Sequence, residues 1–237
     1  MSRTASAPKN PRLWTVDFLR GAAIVLMIGY HFVFDLHYLG IQRFAMHGWP
    51  LLLWQRTIAI LFLGLVGASL VIRKRTLLED AKRAGTIFAF ALLVTIATAI
   101  WPGKGMIVWG VLHFIGLSIL LGHFFVRFGK WNAVLGLGVI ALWILLAGNV
   151  QGSWWLLPLG FAPAGFYSYD YYPLLPWFCL VLFGMAVAST RIFQNLESAL
   201  RKPSFANPLC WAGRHSLAIY LIHQPVILGL IFLAKPG

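Results

Sequence analysis

The sequence predicts an all-α polytopic membrane protein, a bundle of about seven transmembrane helices with a cytoplasmic N-terminus and an outside C-terminus. The composition, the lengths of the apolar stretches and the distribution of basic residues lead to this prediction. Of the 237 residues, 60% are hydrophobic and 11% are charged, and the mean hydropathy is +0.80. Soluble domains carry about 25% charged residues, so the composition indicates a protein that faces lipid.

The apolar stretches have the length that a membrane crossing needs. A helix that spans the hydrocarbon core takes about 17 to 25 mostly apolar residues. Seven stretches meet this requirement, over residues 14–38, 51–72, 84–101, 106–126, 132–149, 173–190 and 208–233. We therefore expect residues 1–13 to form a cytoplasmic segment and residues 14–237 to form a single transmembrane domain.

Basic residues alternate between the connecting segments and predict the orientation. The segments on the N-terminal side hold thirteen of them: Arg3, Lys9, Arg12, Arg73, Lys74, Arg75, Lys82, Arg83, Arg127, Lys130, Arg191, Arg201 and Lys202. The opposite side holds only Arg43, Lys104 and Lys235. Lys and Arg accumulate in cytoplasmic loops, so the N-terminus is predicted inside. The net charge of +13 then comes from loops, and no contiguous basic face indicates a nucleic-acid partner.

The cysteines and histidines do not show the spacing of a metal site. Cys179 and Cys210 lie in apolar segments, where a cysteine usually serves as a packing residue. The histidines do not form an H-x-x-H, H-x-x-x-H or H-E-x-x-H pattern. We expect no metal cofactor.

The first helix carries ionisable residues inside an apolar run. A helix turns about 100° per residue, so Asp17, Arg20, His31 and Asp35 share one face. A charged side chain at the bilayer centre costs about 2.5 to 3.5 kcal/mol on the insertion scale. This face is therefore expected to turn toward protein or water.

The two ends of this face have different interpretations. Asp17 and Arg20 lie one turn apart at the inner end, where they either pair with each other and anchor the helix or contribute to a site. His31 and Asp35 lie one turn apart in the outer half. A carboxylate that orients an imidazole is a common arrangement for a general base, so we interpret His31 as the base and Asp35 as its orienting group.

Three other spans carry polar groups at a similar predicted depth. Arg56 enters the second span from the outside, His113 begins the fourth, and His223 lies past the middle of the last. Together with His31 and Asp35 they predict a catalytic site in the outer half of the membrane, in a cleft between the first, second, fourth and seventh helices.

Basic residues near the inner end of the last span form a second candidate site. Arg214 and His215 follow Gly213, and Lys202 precedes the span. They either reach to the headgroups as an interfacial pair or, together with Arg20, bind the phosphates of a cytoplasmic anionic donor.

The longest outside loop is rich in aromatic residues and contains neither Lys nor Arg over residues 149–173. Trp and Tyr gather at the headgroup level of membranes, so an aromatic belt is one interpretation. An aromatic platform that stacks on a sugar ring is the other.

Five segments carry a family resemblance. They read VDFLRGAAIVLMIGYHFVFDL, RTIAILFLGLVGASL, WGVLHFIGLSILL, YYPLLPWFCLVLFGMAVA and WAGRHSLAIYLIHQPV. In these segments the chain resembles bacterial members of the heparan-alpha-glucosaminide N-acetyltransferase catalytic-domain family. The opening is also similar to that of transmembrane acyltransferases that O-acylate exported polysaccharides, in which an arginine and a histidine on the first helix act as a pair. Arg20 and His31 stand at comparable positions here.

The resemblance implies an acetyl-CoA-dependent transmembrane N- or O-acetyltransferase. Such an enzyme moves an acetyl group from cytoplasmic acetyl-CoA to an amine or hydroxyl of a glycan or amino sugar at the outer side. In the lysosomal members the catalytic histidine lies in the first outer loop before a W-N-G motif. Here AMHGWP offers His47 without the Asn-Gly, so either His31 or His47 is the base, and the presence of Asp35 favours His31.

The expected location is a bacterial cytoplasmic membrane, with the lipid bilayer and a glycan or amino-sugar acceptor as partners. The sequence leaves open the acceptor, the acyl group, a homodimer and whether the acetyltransferase activity is retained. A proton-coupled transporter that uses the same His, Asp and Arg groups is the alternative function, although no internal inverted repeat supports it.

Overall fold

A computed structural model of the chain describes residues 13–46, 48–100 and 105–234. Within these ranges the regular structure is entirely helical, which confirms the all-α part of the predicted fold class. The α-helices, numbered in chain order, are α1 (Trp14–Tyr38), α2 (Trp49–Ile72), α3 (Leu77–Ile100), α4 (Val111–Phe125), α5 (Asn132–Leu146), α6 (Leu174–Ala188), α7 (Arg191–Ala199), α8 (Asn207–Arg214) and α9 (Ser216–Ala234). Short 3₁₀ turns cover Val126–Trp131, Trp154–Leu159 and Ser204–Ala206.

The number of candidate spans differs from the predicted seven. Among the described residues, five helical stretches are long and apolar enough to cross a membrane, and a sixth results if α6 and α7, which are bent by 65°, count as one. The helices α4 and α5 have 15 residues each. They form one continuous 36-residue candidate that includes the 3₁₀ turn. Gly129 interrupts this stretch with a φ of 53°, a conformation that favours glycine.

The predicted last span, 208–233, is two helices in the structure. The helix α8 ends at Arg214 and α9 begins at Ser216, so only the second part is long enough to be a candidate span. The third helix is longer than the predicted span, because it begins at Leu77 rather than at residue 84. The carboxylate of Glu79 accepts from the backbone N–H and the hydroxyl of Thr76, and this hydroxyl accepts from the backbone N–H of Glu79. The two residues form a capping box at the start of the helix.

The chain divides into two compact units. The first unit contains the described residues between Val66 and Leu196, with the end of α2, the helices α3 to α6 and the start of α7. The second contains Leu13–Leu65 and the described residues from Glu197 onward, and therefore α1, most of α2, α8 and α9.

In the second unit α1 and α8 approach closely through two glycines. A Cβ on Gly21 would overlap the carbonyl oxygen of Leu209, and a Cβ on Gly213 would overlap that of Asp17. Small residues allow helix backbones to approach in this way in membranes. Nearby, the thiol of Cys210 donates to the carbonyl of Trp14 at 3.4 Å. Cys210 and Cys179 are both buried and free, as expected for packing residues.

In the first unit the loop before α6 is attached to the start of α4. The backbone N–H groups of Tyr169 and Tyr172 donate to the carbonyls of Gly105 and Trp109. Asp170 accepts the backbone N–H of Val111 at 2.8 Å. Burial raises the pKa of the Asp170 carboxyl to about 6, and this hydrogen bond opposes the shift. The first turn of α4 therefore depends on a carboxylate that lies 59 positions away in the sequence.

Candidate functional site

A histidine pair lies between α1 and α9 in the second unit. The ring centroids of His31 and His223 are 4.8 Å apart, with the planes at 63°. His223 is buried, at 8% exposure, and the ring centroid of Phe34 lies 6.5 Å from that of His31. The structure thus brings together two residues that stand 192 positions apart in the sequence and that were both predicted for the site.

The two ring nitrogens of His223 have different surroundings. Its Nδ1 lies within hydrogen-bond distance of the carbonyl oxygen of Tyr220, one turn earlier on α9. Since a carbonyl can only accept, Nδ1 carries the proton and donates. The other nitrogen, Nε2, is buried and has no hydrogen-bond partner among the residues that the structure describes. In the neutral ring this nitrogen is an unprotonated acceptor.

Asp35 is buried at 2% exposure, and its partner is not the one predicted. Both carboxylate oxygens accept from Nε2 of Gln224, at 2.8 and 2.9 Å. Among the described residues this amide, rather than the ring of His31, is the hydrogen-bond donor to Asp35. The prediction that Asp35 orients His31 is therefore wrong. Residues one turn apart share a helix face, but the ring of His31 turns to His223 and leaves the carboxylate to Gln224.

The fourth predicted catalytic residue of this unit, Arg56, lies on α2 near the same part of α1. Its side chain is exposed, and its charge acts on the hydroxyl of Tyr30. The indole of Trp54 donates to the carbonyl of Leu26 at 3.1 Å, and its ring lies 6.1 Å from that of Tyr30, which is 6.0 Å from that of His31. An aromatic chain thus connects the helix of Arg56 to the histidine pair.

His113 belongs to the first unit and has a structural contact there. Its Nδ1 accepts the backbone N–H of Gly110 at 3.3 Å, so it caps the start of α4. Its ring stacks on Trp109 at 5.5 Å and lies 6.5 Å from Phe88. Because Nδ1 accepts a hydrogen bond, the neutral ring carries its proton on Nε2, which is a donor.

The predicted donor-binding residues lie in the second unit near the N-terminal part of α1. The guanidinium of Arg20 is 3.7 Å from the carboxylate of Asp17, so the two form the pair that the sequence offered as one interpretation. Arg214 is exposed and follows Gly213, whose backbone packs against α1 between Asp17 and Gly21.

The other two members of this set are also exposed. His215 is held by a hydrogen bond between its Nδ1 and the carbonyl of Trp211 at 2.9 Å. Lys202 follows Leu200, whose carbonyl accepts from the indole of Trp14 at 3.4 Å. The two residues therefore lie in segments that contact the beginning of α1.

Sequence reasoning missed two contacts. Gln224 was not singled out, although it stands directly after His223 in LIHQP. The second contact joins His123 to the buried Asp80 in the first unit, with 2.8 Å between Nδ1 and Oδ2. Arg75 lies 3.9 Å from the other oxygen of this carboxylate. The sequence signal for this contact was Asp80 itself, which directly follows Glu79 of the capping box. His47, the alternative base, lies outside the described residues.

The aromatic loop exposes part of its surface. Trp154 is 63% exposed, Trp155 is 92% exposed and Tyr167 is 61% exposed. Tyr171 instead turns inward and donates to the carbonyl of Leu157 at 2.7 Å, and burial raises its pKa to about 12. Both the belt and the platform are compatible with these exposures.

Three or more metal-ligating side chains do not gather anywhere in the described ranges. What the histidine pair offers is proton chemistry. An unprotonated, buried imidazole nitrogen beside a second imidazole can take a proton from an amine or hydroxyl and release it again.

Comparison with known families identifies the family to which the chain belongs. Residues 12–225 match the family model described as heparan-alpha-glucosaminide N-acetyltransferase, catalytic. Neither the curated proteins nor the solved structures contain a significant match. The match covers nine tenths of the chain and includes the histidine pair, Asp35 and Gln224. The chain therefore belongs to the heparan-alpha-glucosaminide N-acetyltransferase catalytic family, a family of membrane acetyltransferases.

Proposed function

We propose that the protein transfers an acetyl group from cytoplasmic acetyl-CoA to an amine or hydroxyl of a glycan or amino sugar at the outer side of the membrane. The observation that carries the proposal is the pair of His31 and His223, with its buried unprotonated nitrogen, in a chain of this family. Asp35 lies one turn from His31 and belongs to the same site.

The proposed topology has seven spans in one transmembrane domain at residues 14–237, with a cytoplasmic N-terminus and an outside C-terminus. The distribution of Lys and Arg supports it. In this topology α4 and α5 each cross the membrane, and the break at Gly129 forms the turn between them. We propose a bacterial cytoplasmic membrane as the location, and the 1–13 segment as its cytoplasmic N-terminal part.

Acetyl-CoA is the proposed donor substrate. Its phosphates need cations, and a guanidinium binds phosphate through two parallel hydrogen bonds. Arg214, His215 and Lys202 are exposed in segments that contact the start of α1, where Arg20 also lies. Arg20 and His31 are eleven residues apart on one helix, which corresponds to about 16 Å along its axis. The pantetheine arm would extend over this distance from the phosphates to the histidines.

The chemistry needs one base and one donor to the oxyanion. The nitrogen or oxygen of the acceptor bonds to the acetyl carbon. At the same time the histidine pair takes the proton that this amine or hydroxyl loses. The thioester C–S bond then breaks, and the imidazolium returns the proton to the CoA thiolate. Arg56, which belongs to the same unit as the histidine pair, is the proposed donor to the oxyanion in the transition state.

The test is acetyl transfer by purified protein in proteoliposomes. Radiolabelled acetyl-CoA is offered with a panel of amino sugars and cell-envelope glycans to the wild type, His31→Ala and His223→Ala. General base catalysis contributes about 10²- to 10⁴-fold, so each variant should lose at least the lower figure. His37→Ala is the matched control, because His37 accepts the backbone N–H of Phe44 in the loop after α1.

The alternative, a proton-coupled transporter, predicts a different result in the same vesicles. Proton or solute flux would depend on His31, His223 and Asp35, and no acceptor would be labelled. Intact folded protein that labels no acceptor on the panel and carries out such flux would overturn the acetyltransferase proposal.

A further inference from the structure

Gln224 makes a contact that neither the predicted site nor the family match assigns. Its amide holds both oxygens of the buried Asp35 at 2.8 and 2.9 Å. Each partner stands next to one member of the histidine pair, since Asp35 follows His31 by one turn of α1 and Gln224 directly follows His223 on α9. The contact therefore connects the two helices at the level of the pair.

We propose that Gln224 is a positioning residue which, through Asp35, holds α9 against α1 so that Nε2 of His223 is the atom that accepts the proton. The inference rests on the proposed acetyl transfer and assigns the base within its histidine pair. It replaces the sequence-based assignment, in which Asp35 acted directly on His31.

The surroundings of His223 select it over His31 as the base. Its Nδ1–H is held by the carbonyl of Tyr220, so the neutral ring has a single tautomer with the lone pair on Nε2. That nitrogen is buried and unpartnered among the described residues. A buried acceptor without a partner costs free energy, and it persists here because the bond to Tyr220 and the contact with His31 hold the ring in place.

An amide suits the position of Gln224 better than a charged group would. A lysine or arginine there would also bind Asp35, but its positive charge, one residue from His223, would oppose protonation of the imidazole. The amide provides hydrogen bonds without a charge. Its Oε1 is buried and has no partner in the described part of the chain, so the contact with Asp35 provides the hydrogen bonds of the Gln224 side chain.

The activity test is an exchange of the two side-chain groups. Gln224→Glu alone places two carboxylates against each other and should separate the helix ends. A displacement of about 1 Å at a catalytic group can cost 10²-fold, so we expect kcat for transfer from acetyl-CoA to glucosamine to fall about 10- to 100-fold with KM for acetyl-CoA unchanged. The double variant Asp35→Asn, Gln224→Glu restores an amide–carboxylate pair and should recover kcat to within about threefold.

The matched control is Gln42→Glu, the same chemical change at an exposed residue of the loop after α1. It should leave kcat unchanged. Equal losses in Gln224→Glu and in the double variant, with both proteins folded, would overturn the positioning role. Loss of activity in Gln42→Glu would show that the added charge alone acts at a distance, and would overturn it as well.

A second measurement does not depend on acetyl transfer. The protein is labelled with ¹⁵N-histidine in lipid nanodiscs, and the resonances of His223 are assigned as those that His223→Asn removes. We expect an unprotonated Nε2 and a protonated Nδ1 in the wild type and in the double variant, and tautomer exchange in Gln224→Glu. The opposite tautomer in the wild type would overturn the assignment of the base. If the tautomers are as expected but no acceptor is labelled, the proposed function fails and the positioning contact stands.

Discussion

The backbone of Gly213 on α8 packs directly on the carbonyl of Asp17 on α1, and Gly21 packs reciprocally on the carbonyl of Leu209. Neither position has room for a methyl group. The close approach places the residue after Gly213, Arg214, beside the N-terminal part of the helix that carries His31. The G-R-H sequence is thus a packing element as well as a source of basic residues.

A methyl group at either glycine should destabilise the second unit. Gly213→Ala and Gly21→Ala force two backbones apart, and overpacking typically costs about 1 to 3 kcal/mol. The measurement is thermal unfolding in detergent. Gly229→Ala on α9 is the control, because a Cβ there meets nothing within 4 Å and alanine favours a helix over glycine. An unchanged midpoint in Gly213→Ala would contradict the close packing.

The contribution of Asp170 to stability should decrease as pH rises from about 4 to about 6. Burial raises its pKa to about 6, whereas an unfolded aspartate titrates near 3.9. Between these values the folded protein holds a proton that the unfolded chain has released, so raising the pH disfavours folding. The difference is at most about 3 kcal/mol at 1.36 kcal/mol per unit.

The check is the thermal midpoint of the wild type and of Asp170→Asn from about pH 4 to about pH 8. The asparagine variant retains an oxygen for the N–H of Val111 but does not titrate. The difference between the two midpoints should therefore change with pH below about 6 and become constant above pH 7. A constant difference over the whole range would contradict the raised pKa.

The exposed guanidinium of Arg214 should affect donor binding rather than chemistry. Removing a charge-assisted hydrogen bond to phosphate costs about 1.5 to 3 kcal/mol, so Arg214→Gln should raise KM for acetyl-CoA about 10- to 100-fold and leave kcat within a few fold. Steady-state kinetics at fixed salt provide the measurement. The control is Arg127→Gln, since Arg127 is also exposed but lies over the ring of Phe128 in the first unit.

The contact between His123 and Asp80 should stabilise the first unit. His123→Leu removes the nearest partner of a buried carboxylate and leaves Arg75 at 3.9 Å. A buried group that loses a hydrogen bond costs about 1 to 3 kcal/mol, and the thermal midpoint should fall accordingly. Asp80→Asn combined with His123→Leu should recover part of the loss, because no ionised carboxylate then stays buried. A double variant less stable than His123→Leu would contradict this explanation.

The helical class and the membrane setting follow from composition. The face of α1 that carries Asp17, Arg20, His31 and Asp35 follows from the helical repeat. These are local properties of the chain, since hydropathy over 20 residues and a turn of 100° per residue do not depend on other helices. Helix ends were predicted less well. The start of α3 depends on a capping box in a charged segment, and the end of α8 depends on a turn at His215, and neither affects average hydropathy.

By itself, the sequence determined that the protein is a helical membrane protein of this family, and it predicted His31, Asp35 and His223 for one polar site. The tertiary structure decided which partners these residues have. Asp35 pairs with Gln224 and not with His31, and Nδ1 of His223 is bound to Tyr220. The physical reason is that a helical repeat defines a face, whereas the rotation and height of the opposing helix, set by packing, select the side chain that meets it.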